Sequence, residues 1–266
     1  MNGATGASPL DLPPVIGHRG AAAAAPENTL AGMRMAHRLG ARWVEFDVRL
    51  TADGQCIVLH DDTIDRTSDG KGAAALLSFA ALRRHDAGGW FDKRFAGERI
   101  PSFIEVIELL AELGLGANIE IKPAAGQEAE TARATVAVLQ RNWPMHLPAP
   151  LLSSFSPVAL AAARDAAPTI ARGYLFGRVP ANWREEVERL GCATVHCGDR
   201  QLDRVTARAV IAARYPLLAY TVNRPARARE LLNWGLSAVI TDCPDRIIAG
   251  LSEGEKSSPN RPGIHT

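Results

Sequence analysis

One link in this chain fixes how the rest of it must be counted. In "VRLTADGQCIVLH" two apolar runs are separated only by Thr51-Ala52-Asp53-Gly54, and Asp-Gly is a strong hairpin signal. A parallel crossover needs about a dozen residues or more, so these two runs are antiparallel neighbours. The other runs of strand character are "PVIG", "ANIEIK", "PLLSSF", "IARGYLF", "TVHC", "LLAYTV" and "SAVITD". Between them lie stretches with apolar residues at three- and four-residue spacing: Thr29 to Leu39, Phe103 to Leu113, Glu128 to Arg141, Pro157 to Ala166, Trp183 to Leu190, Arg204 to Arg214 and Ala226 to Trp234. Gly40, Gly114, Gly191 and Gly235 sit where helix C-caps are expected. Strand alternating with helix predicts a parallel sheet. Setting the returning hairpin arm aside leaves eight parallel strands, and hence an α/β fold of the (β/α)8, or TIM, barrel type. The hairpin and a small insertion, about 48–101 with its irregular part at 61–101, then lie above the C-terminal rim. The competing architecture is an open doubly wound sheet. It lacks its usual mark here, because "GHRGAAAAAP" after the first strand is not a G-x-G-x-x-G phosphate loop.

A single barrel domain is expected over 14–250, with flexible polar tails at 1–13 and 251–266. At 266 residues and 47% hydrophobic content the chain can fill such a core. The net charge of +1 gives no footprint for nucleic acid or for stable membrane association. The N-terminus has neither a basic nor an apolar segment of signal-peptide type, and no apolar stretch approaches the roughly 20 residues of a membrane span. A cytoplasmic location is expected. Cys56, Cys192, Cys197 and Cys243 have apolar neighbours and read as buried thiols. Cys192 and Cys197 flank His196, but the spacing matches no zinc motif.

Active sites of such barrels lie at the C-terminal ends of the strands, so ionisable residues there carry weight. The first strand ends in His18-Arg19. "WVEFDV" carries Glu45 and Asp47 on one face of its pleat, the hairpin arm ends in His60-Asp61, and "NIEIK" sets Glu120 and Lys122 on one face. Alone, Glu120 with Lys122 or Asp47 with Arg19 reads as a structural ion pair. Together they place three carboxylates in one barrel mouth, which is unfavourable without a compensating cation. Hard oxygen donors favour one divalent ion, Mg²⁺ or Ca²⁺. Arg19 and Lys122 suit phosphate oxygens. His18 and His60 then supply the general acid and base that a phosphodiester needs, in an order left open. His37, His85 and His146 read as structural; His196, at the end of its strand, is open to two readings, a structural histidine first and a substrate contact second.

The motifs "GHRG", "APENT", "VEFDVRLTADG", "LHDDTIDRTSDGKG", "GGWFDKRFAGERIPSFIEV", "NIEIKP", "LLSSF" and "AYTVNRP…ELLNWGLSAVITDCP" resemble, in order and spacing, the glycerophosphodiester phosphodiesterases, over about 14–248. The cytosolic bacterial type is the one it is most similar to. The resemblance implies a barrel of the phospholipase C-like phosphodiesterase type with an inserted subdomain. It also implies hydrolysis of a small-molecule glycerophosphodiester, such as glycerophosphocholine or glycerophosphoethanolamine, to sn-glycerol 3-phosphate and an alcohol. Within the motifs His18 and His60 match the acid/base pair, Glu45, Asp47 and Glu120 the metal ligands, and Arg19 and Lys122 the phosphate contacts. Tyr220 stands where many members carry Trp. Trp90, Phe91 and Phe155 either wall the substrate or pack the insertion onto the barrel. Asn28 or Thr29 caps the first helix. Two alternatives are a lysophospholipase D or sphingomyelinase D-like enzyme acting on lipid, which needs an apolar rim or an export signal, and a non-catalytic barrel, which predicts erosion of at least one of the seven residues.

Overall fold

The computed structural model describes residues 10–256. The nine strands are β1 (Val15–His18), β2 (Trp43–Leu50), β3 (Cys56–Val58), β4 (Gly116–Ile121), β5 (Leu151–Ser154), β6 (Ala171–Phe176), β7 (Thr194–Gly198), β8 (Leu217–Tyr220) and β9 (Ala238–Thr241). Their order is β1-β9-β8-β7-β6-β5-β4-β2, and a further β1–β2 pairing closes the ring. Every pairing in the ring is parallel. β3 is antiparallel to β2, with Val48 facing Val58 and Leu50 facing Cys56. The eight-stranded barrel and its hairpin are therefore those expected from the short Asp-Gly link.

Outside the ring run α1 (Leu30–Arg38), α3 (Phe103–Leu113), α4 (Glu128–Asn142), α5 (Pro157–Ala166), α6 (Trp183–Leu190), α7 (Arg204–Ala212), α8 (Pro225–Asn233) and α9 (Pro244–Lys256), with the short α2 (Phe79–Leu82) in the insertion. Their ends follow local chemistry. Thr29, rather than Asn28, caps α1 by accepting the Gly32 N–H. Ser102 and Glu105 form a reciprocal capping box on α3, which ends at a left-handed Gly114.

Residues alternate between two buried environments along each strand, as a barrel requires. Val44, Phe46 and Val48 point outward, into the layer shared with Phe103, Ile107 and Leu110 of α3. Ile16, Trp43, Leu151, Leu218 and Ile240 fill the barrel floor. Leu10 and Leu12 pack against that floor, so residues 10–13 are seated rather than a loose tail, because they cover apolar surface otherwise open to water. At the other end α9 continues to Lys256, past the expected boundary at 250. Residues 1–9 and 257–266 of the two expected tails lie outside the described residues. The insertion has its own small core: Ile57, Leu59, Ile64, Ala74, Leu82, Ala87 and Ile100.

Candidate active site

β2 and β4 hold the centre of the mouth. Glu45 and Asp47 are two residues apart and share the inward face of β2. The register sets Asp47 beside Glu120, and β1 sets His18 beside Glu45. The three residues are 5%, 1% and 8% exposed, and one carboxylate oxygen from each lies within 4.8 Å of the others. Burial, then the neighbouring charges of Asp47 and Glu120, push the Glu45 carboxyl well above its usual range. Burial and Asp47 likewise push Glu120 up to about 7. Burial acts on Asp47 in the same direction, but the charges of Lys122 and Arg19 outweigh it and hold that carboxyl below the usual range. Lys122 Nζ sits 3.2 Å from both Asp47 and Glu120, and Arg19 Nε sits 3.5 Å from Asp47. Three buried hard donors, two of them raised in part by mutual repulsion, fit a divalent cation. This cluster can hold a metal ion.

Arg19 follows β1 in the left-handed region, at φ 50°, where a non-glycine residue is strained. That turn aims its own N–H at Glu45 Oε2, 3.1 Å away, while its guanidinium reaches Glu27 at 2.7 Å. Gly20 completes the turn at φ 90°, and a Cβ there would stand 2.5 Å from the Gly32 carbonyl carbon of α1. Asn28, also left-handed at φ 57°, donates its amide to Asp47 at 2.8 Å.

The two expected histidines face this cluster. His18 Nδ1 lies 2.6 Å from Asp242 Oδ1, and its Nε2 lies 3.9 Å from Glu45. Burial acts to raise the Asp242 carboxyl, but the His18 hydrogen bond leads the effects that hold it low. An ionised carboxylate only accepts, so Nδ1 is the donor and Nε2 is the nitrogen left to face the cluster. Asn223 donates to Asp242 at 2.6 Å and accepts its backbone N–H at 2.9 Å. His60 Nδ1 lies 2.6 Å from Asp61 Oδ1, and Arg49 on β2 grips the His60 carbonyl with Nε at 2.9 Å. Burial chiefly, helped by the charges of Arg19 and Lys122, holds the His60 imidazole below its ordinary pKa.

All seven residues singled out in the sequence thus converge on one mouth. Asn28, Asp242, Asn223, Glu27 and Arg66 were not singled out as site residues. Asp242, closing "SAVITD", could have been found by the strand-end rule, whereas Asn28 was read only as a cap. His196 takes the structural one of its two readings. Its strand runs on to Gly198, so the imidazole is fully buried inside the barrel, 2.9 Å from Thr194 Oγ1, and does not reach the mouth. The aromatic trio divides. Phe155 lines a cleft of about 440 Å³ beside Glu120 and Lys122 and packs edge-on to Tyr220. Trp90 and Phe91 pack on each other inside the insertion, and Phe91 on Phe95. On the other side of the centre a cleft of about 350 Å³ is lined by His18, Arg19, Glu27, Asp242 and Arg246. All four cysteines are buried and unpaired.

Fold and donor set define a class: a (β/α)8 barrel with a carboxylate cluster able to hold a cation at its C-terminal mouth, flanked by two carboxylate-anchored imidazoles. Residues 18–246 match the model of the Glycerophosphoryl diester phosphodiesterase family, and the chain belongs to that family. The glycerophosphodiester phosphodiesterase of Caldanaerobacter subterraneus is 32% identical over 246 residues, covering 90% of this chain and 98% of that protein. Among solved structures, an Oleispira antarctica phosphodiesterase in complex with the product sn-glycerol-3-phosphate superposes with a TM-score of 0.89 at 42% identity. That alignment covers 91% of this chain and 97% of the other. A glycerophosphodiester phosphodiesterase from Agrobacterium tumefaciens gives 0.73 at 28% identity, with coverages of 88% and 98%.

Proposed function

We propose that this member of the family hydrolyses small glycerophosphodiesters, such as glycerophosphocholine and glycerophosphoethanolamine, to sn-glycerol 3-phosphate and the free alcohol. The observation that carries the reading is the buried Glu45–Asp47–Glu120 cluster set between two imidazoles whose Nδ1 atoms are both engaged by carboxylates. The Oleispira relative's bound product supports the choice of substrate. Glu45, Asp47 and Glu120 would hold the ion, Mg²⁺ or Ca²⁺. When bound, it supplies neutralisation of the phosphate and a lowered pKa for a nearby hydroxyl.

The chain's own groups do the rest. Arg19 and Lys122 draw the non-bridging phosphate oxygens into the mouth and stabilise the charge that grows on them in the transition state. One imidazole takes the proton of the glycerol 2-hydroxyl through Nε2 as that oxygen bonds to phosphorus. The other gives a proton to the departing alkoxide as its P–O bond breaks. Water then opens the resulting cyclic phosphate with the proton transfers reversed. Asp242 and Asp61 keep each Nε2 facing the reacting atoms and stabilise the imidazolium that forms.

Purified protein is incubated with glycerophosphocholine and either Mg²⁺ or Ca²⁺, with and without EDTA, and glycerol 3-phosphate is assayed. The expected outcome is product formation that EDTA abolishes. Absence of metal-dependent product from choline, ethanolamine and glycerol diesters alike would falsify the reading.

A further inference from the structure

We propose that Arg66, in the insertion, is a positioning residue for this hydrolysis: its guanidinium clamps Asp61 and Glu27 together, and through them sets the His60 imidazole against the Arg19 guanidinium across the mouth. The role presupposes that the site hydrolyses a phosphodiester.

The geometry is a double fork. Arg66 Nε donates to Asp61 Oδ2 at 2.7 Å and Nη2 to Asp61 Oδ1 at 3.1 Å. Nη1 donates to Glu27 Oε2 at 2.7 Å and the same Nη2 to Glu27 Oε1 at 2.8 Å. One guanidinium therefore engages both oxygens of two carboxylates, a match that no other side chain offers. Each carboxylate is committed on its other side to a site residue. Asp61 Oδ1 receives His60 Nδ1 at 2.6 Å, and Glu27 Oε1 receives Arg19 Nη1 at 2.7 Å. Remove the guanidinium and two anions that share one of its nitrogens face each other unscreened. They separate, and each carries its partner with it.

The clamp also decides which imidazole nitrogen faces substrate. The Arg66 hydrogen bond is the first cause holding Asp61 well below the usual carboxylate range, so Asp61 stays an acceptor and Nδ1 of His60 must be the donor. Without Arg66 the Asp61 carboxylate loses the two donors that fix it, and His60 Nδ1 loses the held acceptor that keeps Nε2 turned to the mouth. Arg66 is 46% exposed at its side chain and touches none of the three clustered carboxylates, so it acts only through these two intermediaries.

The test uses the full chain with Mg²⁺ and glycerophosphocholine. Arg66→Met is expected to lower kcat/KM by about 10- to 100-fold, the range for outer-shell partners. Its metal titration and melting temperature should match wild type. Asp61→Asn should act chiefly on kcat and Glu27→Gln chiefly on KM. The Asp61→Asn/Arg66→Met double variant should have the kcat of Asp61→Asn alone. Arg66→Lys, which keeps the charge in the same loop, should recover part of the loss and serves if Arg66→Met does not fold. In ¹⁵N-labelled protein the His60 Nδ1–H resonance should move in Arg66→Met and not in Arg94→Met, a surface control in the same insertion. Wild-type kcat and KM in both Arg66 variants overturn the clamp, and so does a fully additive double variant. Absence of metal-dependent product from the wild-type protein instead overturns the underlying hydrolytic reading, which keeps the two failures apart.

Discussion

His18 and His60 each sit 2.6 Å through Nδ1 from a carboxylate, yet those carboxylates belong to different parts of the molecule. Asp242 follows β9 directly and is locked by Asn223, which Thr241 Oγ1 also bonds at 3.0 Å. That arm is the ring itself. Asp61 lies in the insertion, 26% exposed at its side chain, and depends on Arg66 and on a core of seven buried residues. Small cores stabilise weakly, because little apolar area leaves water against the entropy of ordering the chain. One imidazole is thus held by the barrel, and the other by a satellite.

The largest effect expected is on both arms together. His18→Ala and His60→Ala should each cut kcat by about 10²- to 10⁴-fold, the usual worth of a general acid or base, with metal affinity unchanged in an isothermal titration. A fall in one variant only would mean that a single imidazole carries the proton traffic and that the symmetry is superficial. Next come two truncations of fully buried side chains, each costing about 2–5 kcal/mol at its own site. Ile64→Ala, in the satellite, should lose activity on heating before the far-UV circular dichroism of the barrel changes. Leu218→Ala, in the barrel floor, should lose both together. Coincident curves for Ile64→Ala would show the insertion and barrel to be one cooperative unit. The smallest effect per step of the variable is a slope in pH. Burial pulls His196 down to about 3, so between pH 6.5 and 3 the unfolded chain binds a proton that the fold refuses. Stability is then full above pH 6.5 and falls by about 1.4 kcal/mol per pH unit as acid is added through that window. His60, also lowered, adds with the same sign. Chemical denaturation at several pH values should show a shallower slope for His196→Gln, and an unchanged slope means that other groups govern acid stability.

The ring was legible in the sequence because its signals are local. Helices Phe103–Leu113 and Pro157–Ala166 run between the residues that their apolar spacing marked. The carboxylates and cations were legible because a strand alternates its faces, so Glu45 with Asp47 and Glu120 with Lys122 announce which way they point. What stayed hidden is set by closure. Asn28 reads as a cap until the fold lays it on Asp47, and Arg66 is one charge among many until Glu27, 39 residues earlier, arrives beside it. His196 stayed ambiguous because the strand outran its apolar run by one glycine, which set the imidazole a layer deeper than the mouth.

The ring's seam has a consequence for biogenesis. His18 and the aspartate that aims it are 224 residues apart, one at the end of the first strand and the other just after the last. A ribosome delivers Glu45, Asp47, His60, Glu120 and Lys122 in the first half of synthesis, but a nascent chain without β9 has no closed barrel and no anchor for His18. The complete constellation therefore arrives all at once, near release, and a prematurely terminated product keeps the acidic cluster without the closed mouth.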